Sequence, residues 1–211
     1  MKLKSVLFDL DGVLIDTEGI YTEFWADIDR IYPTGVEDFA LVIKGSTLPS
    51  ILNKYFAPEH HADIVRRLRD NEDNMVYRLF DGVEDLMASL AAEGVMMAIV
   101  TSSNRPKMDV VYAQVPAFGK YISALVTDED VTASKPDPQG YLIAAERLGA
   151  APGECVVVED SIAGLCAGRA AVAAVAGIAT TNSREVIAPL ADIVVDATGE
   201  LNVKKLCNIL L

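Results

Sequence analysis

Val6-Leu7-Phe8-Asp9-Leu10-Asp11-Gly12 is the stretch from which the rest of the chain is read. An unbroken apolar triplet that ends on a carboxylate does not alternate, so it predicts a short strand buried on both faces rather than the edge of an open sheet. The same design recurs. Val95 to Val100 is followed by Thr101-Ser102-Ser103, Ala124-Leu125-Val126 by Thr127, and Cys155 to Val158 by Glu159-Asp160, with weaker runs at Val172 to Ala176 and Ile193 to Val195. Helical periodicity fills the intervals at Gly82 to Glu93, Arg105 to Val115, Gln139 to Leu148, Ser161 to Ala170 and Ser183 to Ala188. Strands and helices alternating at this spacing predict an α/β protein: a parallel sheet with helices on both sides, binding its ligand at the carboxyl ends of the strands.

One stretch breaks the alternation. Residues 15–81 hold most of the aromatic residues, lack a convincing strand and show helical periodicity at Glu18 to Ile31, Val36 to Ile43, Leu48 to Tyr55 and His61 to Leu79. They read as a helical insert between the first strand and the rest of the sheet, so the core comprises 1–14 and 82–211. The crossings at Ile15-Asp16-Thr17 and Phe80-Asp81-Gly82 are hinge candidates.

Composition narrows the function. With 31 acidic and 18 basic side chains in 211 residues, the net charge is −13, which repels nucleic acid and anionic membranes. An anionic substrate must therefore be attracted by a local feature such as a metal ion, a lysine or a helix N-terminus. The cysteines, Cys155, Cys166 and Cys207, form no CxxC pair and read as core thiols in a reducing compartment. Asp9 and Asp11 interrupt the apolar N-terminal stretch, which argues against a signal peptide, and no later run reaches the roughly 20 residues of a membrane span. A monomer in the cytoplasm is expected.

The chemistry lies at the strand ends. Asp9 and Asp11, two apart on an extended segment, point the same way, and Gly12 lets the chain turn off sharply. Glu159-Asp160-Ser161 closes a second strand. Four carboxyl groups converging at one edge repel each other unless a cation intervenes, and a hard cation held by carboxylates, water and phosphate is Mg2+. Taken singly, each motif has an ordinary reading: a turn for Asp9-Leu10-Asp11-Gly12, helix caps for Ser161 and for Thr101-Ser102-Ser103, and a solvated loop lysine for Lys135. All four follow strands of one inferred sheet, in the order carboxylates, hydroxyls, lysine, carboxylates.

With these residues the chain resembles the haloacid dehalogenase superfamily, and within it the branch of β-phosphoglucomutase and many sugar-phosphate phosphatases. The motifs that carry the resemblance are Phe8-Asp9-Leu10-Asp11-Gly12-Val13-Leu14, Thr101-Ser102-Ser103, Ser134-Lys135-Pro136-Asp137-Pro138 and Val158-Glu159-Asp160-Ser161. The resemblance implies a Rossmann-like core with an inserted α-helical cap. It also implies that Asp9 attacks phosphorus to form an aspartyl-phosphate, while Asp11 protonates the leaving oxygen and later deprotonates water. Thr101 and the Ser102 backbone hold the moving phosphoryl group, and Lys135 bridges it to Asp9. Asp160, Asp9 and the Asp11 carbonyl bind magnesium, with Glu159 supporting its waters.

Within the family, Asp11 argues against the dehalogenases and the phosphonate-cleaving members, which lack the second Asp. Lys44-Gly45 resembles a cap loop of the mutase branch, although a C-terminal cation beside a glycine stop explains it equally well. Trp25 matches a cap aromatic of that branch, although simple packing within the helical insert is the preferred reading. The mutase places a histidine where this chain has Tyr21 and an arginine where it has Leu48, and without those cations to grip a second phosphate the expectation is a phosphatase acting on a small phosphorylated metabolite. A mutase is the alternative, and a non-catalytic protein retaining the fold is the alternative of another class. His60 and His61 read as surface residues, and Met96-Met97 as core filling.

Overall fold

A computed structural model describes residues 2–172 and 174–210. Six parallel strands form one sheet: β1 (Ser5–Phe8), β2 (Met96–Val100), β3 (Ala124–Val126), β4 (Cys155–Glu159), β5 (Ala174–Ile178) and β6 (Ile193–Val195). Their spatial order is β3-β2-β1-β4-β5-β6. This is the Rossmann-like arrangement, in which the chain first winds outward from β1 to one side and then from β4 to the other. The reversal falls between β1 and β4, so a crevice opens above the carboxyl ends of those two strands. The register sets Phe8 opposite both Ile99 and Val158, which brings the residues that follow, Asp9, Val100 and Glu159, to the same level.

Side-chain alternation supplies each face with its own core. Val6 and Phe8 pack with Met97, Ile99, Val156 and Val158 on one side, against α5 (Val83–Ala92), α6 (Arg105–Gln114), α7 (Pro116–Tyr121) and α11 (Val203–Asn208). Leu7 packs with Ala98, Val100, Val157 and Val175 on the other, against α8 (Gln139–Arg147), α9 (Ile162–Ala171) and α10 (Arg184–Ile187). Val6, Leu7 and Phe8 are all fully buried, as expected of a central strand without a solvent face. Among the described residues no helix is long and apolar enough to cross a membrane. The cysteines are free thiols, Cys155 buried and the other two half-buried.

Between β1 and α5 the chain forms α1 (Glu18–Ile31), α2 (Phe39–Val42), α3 (Leu48–Tyr55) and α4 (Pro58–Asp73). These helices bury a core of their own, in which Trp25 meets Phe24 and Phe39 edge to face and stacks on Phe56. His60 and His61 are half-buried rather than on the surface: His60 stacks on Tyr32, and a ring nitrogen of His61 lies 3.0 Å from the Phe56 carbonyl.

The helix expected to run to Leu79 stops at Asp73. Beyond it Met75 and Tyr77 turn into the main core, where the Gln114 side chain serves both backbones, accepting from the Tyr77 N–H at 3.0 Å and donating to the Met75 carbonyl at 3.2 Å. The two crossings then bind each other: the Asp16 N–H donates to the Arg78 carbonyl at 3.2 Å and the Phe80 N–H to the Leu14 carbonyl at 3.0 Å. Val172, where the apolar run read as β5 starts, instead ends α9, its N–H donating to the Gly168 carbonyl at 2.9 Å.

Candidate active site

Asp9 follows β1 directly and is anchored by its own N–H, which donates to the Val158 carbonyl at 3.0 Å. Lys135, nine-tenths buried, reaches it from the loop before α8. The same ammonium donates to Glu159 Oε1 at 2.5 Å, so one cation serves two carboxylates. Burial, with Glu159 and Asp11 adding to it, pushes the Asp9 carboxyl up to about 8 although Lys135 pulls it down. Burial acts to lower Lys135, yet Asp9 and Glu159 outweigh it and hold the lysine well above its ordinary range. In Glu159 burial acts upward and Lys135 overrides it, keeping this carboxylate below its usual value.

Glu159 has no capacity to spare. Oε1 also accepts from the Tyr141 hydroxyl at 2.9 Å, while Oε2 accepts from the backbone N–H groups of Asp160 and Ser161, both at 2.9 Å, and from Ser161 Oγ at 3.0 Å. Such saturation is what makes a fully buried carboxylate tolerable. It requires Gly164, because a Cβ there would lie 1.7 Å from Glu159 Oε1. Ser161 meanwhile caps α9, its hydroxyl accepting from the Gly164 N–H at 3.0 Å.

Asp160, 2% exposed, lies beside Thr181, whose hydroxyl donates to it, and its carbonyl accepts from Asn182 Nδ2 at 3.0 Å. Thr101 is buried at the end of β2 and its hydroxyl oxygen accepts from the Ser103 N–H at 3.0 Å. Ser102 Oγ donates to the Gly45 carbonyl of the helical insert at 2.8 Å. Gly45 has φ +80°, a left-handed conformation that favours glycine, and its position leaves no room for a side chain, since a Cβ would meet Ser161 Oγ at 2.9 Å. The residue is thus a contact between insert and core.

An open cleft lies above these parts. Its floor is Asp9, Asp11, Thr101, Ser102, Asp160 and Ser161; its insert side includes Trp25, Ile43, Lys44, Gly45, Leu48 and Glu72. Trp25 is therefore both a core residue of the insert and a wall of the cleft. Tyr21 and Leu48 both line it too, with the Tyr21 hydroxyl donating to Glu72 at 2.8 Å. Among the described residues no three His, Cys, Asp or Glu side chains converge as a metal-holding cluster. Glu159 turns to Lys135, and Asp11 is held by Lys107 Nζ, at 2.7 Å to Oδ2 and 2.8 Å to Oδ1. Asp9, paired with Lys135, and Asp160, which accepts from Thr181, both line the cleft. That donor set fits Mg2+, which takes one or two carboxylates and fills its other positions with water and phosphate.

Several partners had no signature in the sequence. Lys107 sits inside α6, Tyr141 inside α8, and Thr17 and Thr181 in loops; each is brought in by the fold from a stretch without recognisable spacing.

Comparison with known proteins agrees with this geometry. The pattern of the family described as haloacid dehalogenase-like hydrolase matches residues 3–171. Hexitol phosphatase A of Escherichia coli K12 is 34% identical over 179 residues, covering 81% of each chain. β-Phosphoglucomutase of Mycobacterium bovis is 28% identical, covering 95% of this chain and 92% of its own. A solved structure of a family IA, variant 3 hydrolase from Entamoeba histolytica superposes with a TM-score of 0.83 at 22% identity, covering 99% of both chains. With a Rossmann-like sheet, paired carboxylates at its switch point and a family match over four-fifths of its length, the chain belongs to the haloacid dehalogenase-like hydrolases.

Proposed function

We propose that this protein is a magnesium-dependent phosphatase that hydrolyses a small phosphate monoester of a sugar or sugar alcohol through an aspartyl-phosphate on Asp9. The observation that carries the reading is the pairing of Asp9 with Lys135 beneath a cleft that also gathers Thr101, Ser102 and Asp160. Asp9 Oδ attacks phosphorus, the bond from phosphorus to the ester oxygen breaks, and Asp11 delivers its proton to that oxygen to release the alcohol. Water then attacks the phosphoryl group and the bond to Asp9 breaks. Asp11 takes the proton of the water, leaving inorganic phosphate and a free Asp9.

Thr101 Oγ, already an acceptor for Ser103, keeps its O–H as a donor for a phosphoryl oxygen, together with the Ser102 backbone. Lys135, fixed by Glu159, neutralises charge between Asp9 and the phosphoryl group. Asp9, Asp160 and the Asp11 carbonyl are the proposed magnesium ligands, and when bound the ion supplies positive charge to the transferring phosphoryl group. Glu159 supports the set indirectly, through Lys135 and the turn at Asp160-Ser161. The helical insert serves as the cap, and the activities named for its relatives, hexitol phosphatase and phosphorylated carbohydrates phosphatase, support a polyol or sugar leaving group.

The mutase reading rests on the likeness to β-phosphoglucomutase. Tyr21 and Leu48 weigh against it: at the cleft wall they offer a phenol and an aliphatic chain, and neither bears positive charge to grip a second phosphate. The deciding experiment measures phosphate release from hexose, pentose and hexitol phosphates beside a coupled assay for glucose 6-phosphate formed from β-glucose 1-phosphate, with catalytic glucose 1,6-bisphosphate present. Release is expected to outpace isomerisation. The reverse order would replace this reading with the mutase.

A further inference from the structure

Lys107 is almost wholly buried, its side chain 1% exposed, yet it belongs to none of the motifs at the strand ends. A buried ammonium is costly unless every N–H finds an acceptor and a counter-charge lies close. Here all three donors are accounted for: two go to Asp11, at 2.7 and 2.8 Å, and one to Ser103 Oγ at 2.8 Å. The Tyr21 ring closes the remaining side, 4.5 Å from the nitrogen. Asp11 is correspondingly enclosed, because Thr17 Oγ1 donates to Oδ1 and Ser103 Oγ donates to Oδ2 at 3.2 Å. The Asn104 side chain caps α6 by accepting from the Lys107 N–H at 3.0 Å, which fixes the first turn of the helix and hence the lysine's direction.

We infer that Lys107 is the positioning residue for Asp11, holding its carboxylate in the orientation from which it exchanges a proton with the leaving oxygen. This rests on the phosphatase reading above. The alternatives are a lysine that grips an anionic group on the substrate and one that serves only to fill its site. A carboxylate free to rotate spends most of its time misdirected, and a misdirected acid is felt most by esters whose alcohol cannot depart unprotonated. An activated aryl ester departs without that proton.

The test is kcat/KM across phosphate monoesters of uncharged alcohols and phenols of graded acidity, because this ratio covers the step in which the leaving group departs. Lys107→Met is expected to lose about 100-fold on esters of ordinary alcohols and under about tenfold on p-nitrophenyl phosphate, steepening the dependence on leaving-group acidity. Ser103→Ala, which removes a single hydroxyl from the same cluster, should steepen it in the same direction by less. Equal losses on all esters by a folded Lys107→Met protein would mean a structural role, and no loss on these uncharged esters would mean a substrate grip; either overturns the inference. Should Lys107→Met fail to fold, the slope for Ser103→Ala decides, and an unchanged slope overturns the inference. Absence of turnover in the unaltered protein with magnesium would instead overturn the phosphatase reading, and the role of Lys107 with it.

Discussion

Asp9→Asn preserves the shape of the proposed nucleophile and removes its attacking anion, so turnover should fall at least about a thousandfold, on the order of 4 kcal/mol in barrier. Steady-state phosphate release measures it, and near-normal turnover would move the nucleophile elsewhere. Gly164→Ala tests the support beneath that residue. The added methyl would occupy the place of the Glu159 carboxylate, which is buried and satisfied only where it stands. Displacing it leaves Lys135 without one partner and the Ser161 turn without its acceptor. A loss of about 2–4 kcal/mol in urea unfolding is expected, together with reduced activity. If Gly164→Ala were as stable as the unaltered protein, Glu159 would not be the rigid post described above.

Among the elements, the edge strand β3 depends on its flanks. Arg147 of α8 pairs with Asp130 at 2.6 Å and also donates to the Leu125 carbonyl, and Asp130 accepts from the Thr127 N–H at 2.9 Å. These contacts, the Arg147 hydrogen bond foremost, hold the Asp130 carboxyl down to about 2. A carboxyl depressed by folding stabilises the protein above its unfolded value and stops doing so as pH falls through its folded value. The stability difference between the unaltered protein and Asp130→Asn should therefore be full above pH ~4 and shrink toward pH ~2, as thermal melts across that interval would show. Apolar runs closed by polar residues made all six strands readable, because burial on both faces leaves a plain compositional mark. The order of carboxylates, hydroxyls, lysine and carboxylates likewise marked Asp9, Thr101, Lys135 and Asp160 as neighbours. What escaped reading depends on distant partners. α4 ends early because Gln114, some forty residues on, takes over the backbone of Met75 and Tyr77, and α7 restarts at Pro116 only two residues after α6. Lys107 reads as any helix-surface lysine until the fold buries it against Asp11.

For the molecule as a whole, a net charge of −13 offers a phosphate dianion no long-range attraction, so capture falls to a few buried positive groups. Lys135 already carries two carboxylates and Lys107 one, which leaves a deficit that magnesium would fill. Hydrolysis of p-nitrophenyl phosphate should accordingly vanish in excess chelator and return when magnesium is restored, and full activity in chelator would remove the ion from the mechanism. The joint between insert and core has a consequence of another kind. Ser102 meets the insert through the Gly45 carbonyl, a backbone atom that every residue type possesses. The cleft-lining side chain of Lys44 takes no part in that bond and could be exchanged while the latch stayed in place, whereas Trp25 and Ile43 are committed to the insert's own core. The joint and the lining beside it can thus vary separately, since one is written in backbone and the other in side chains.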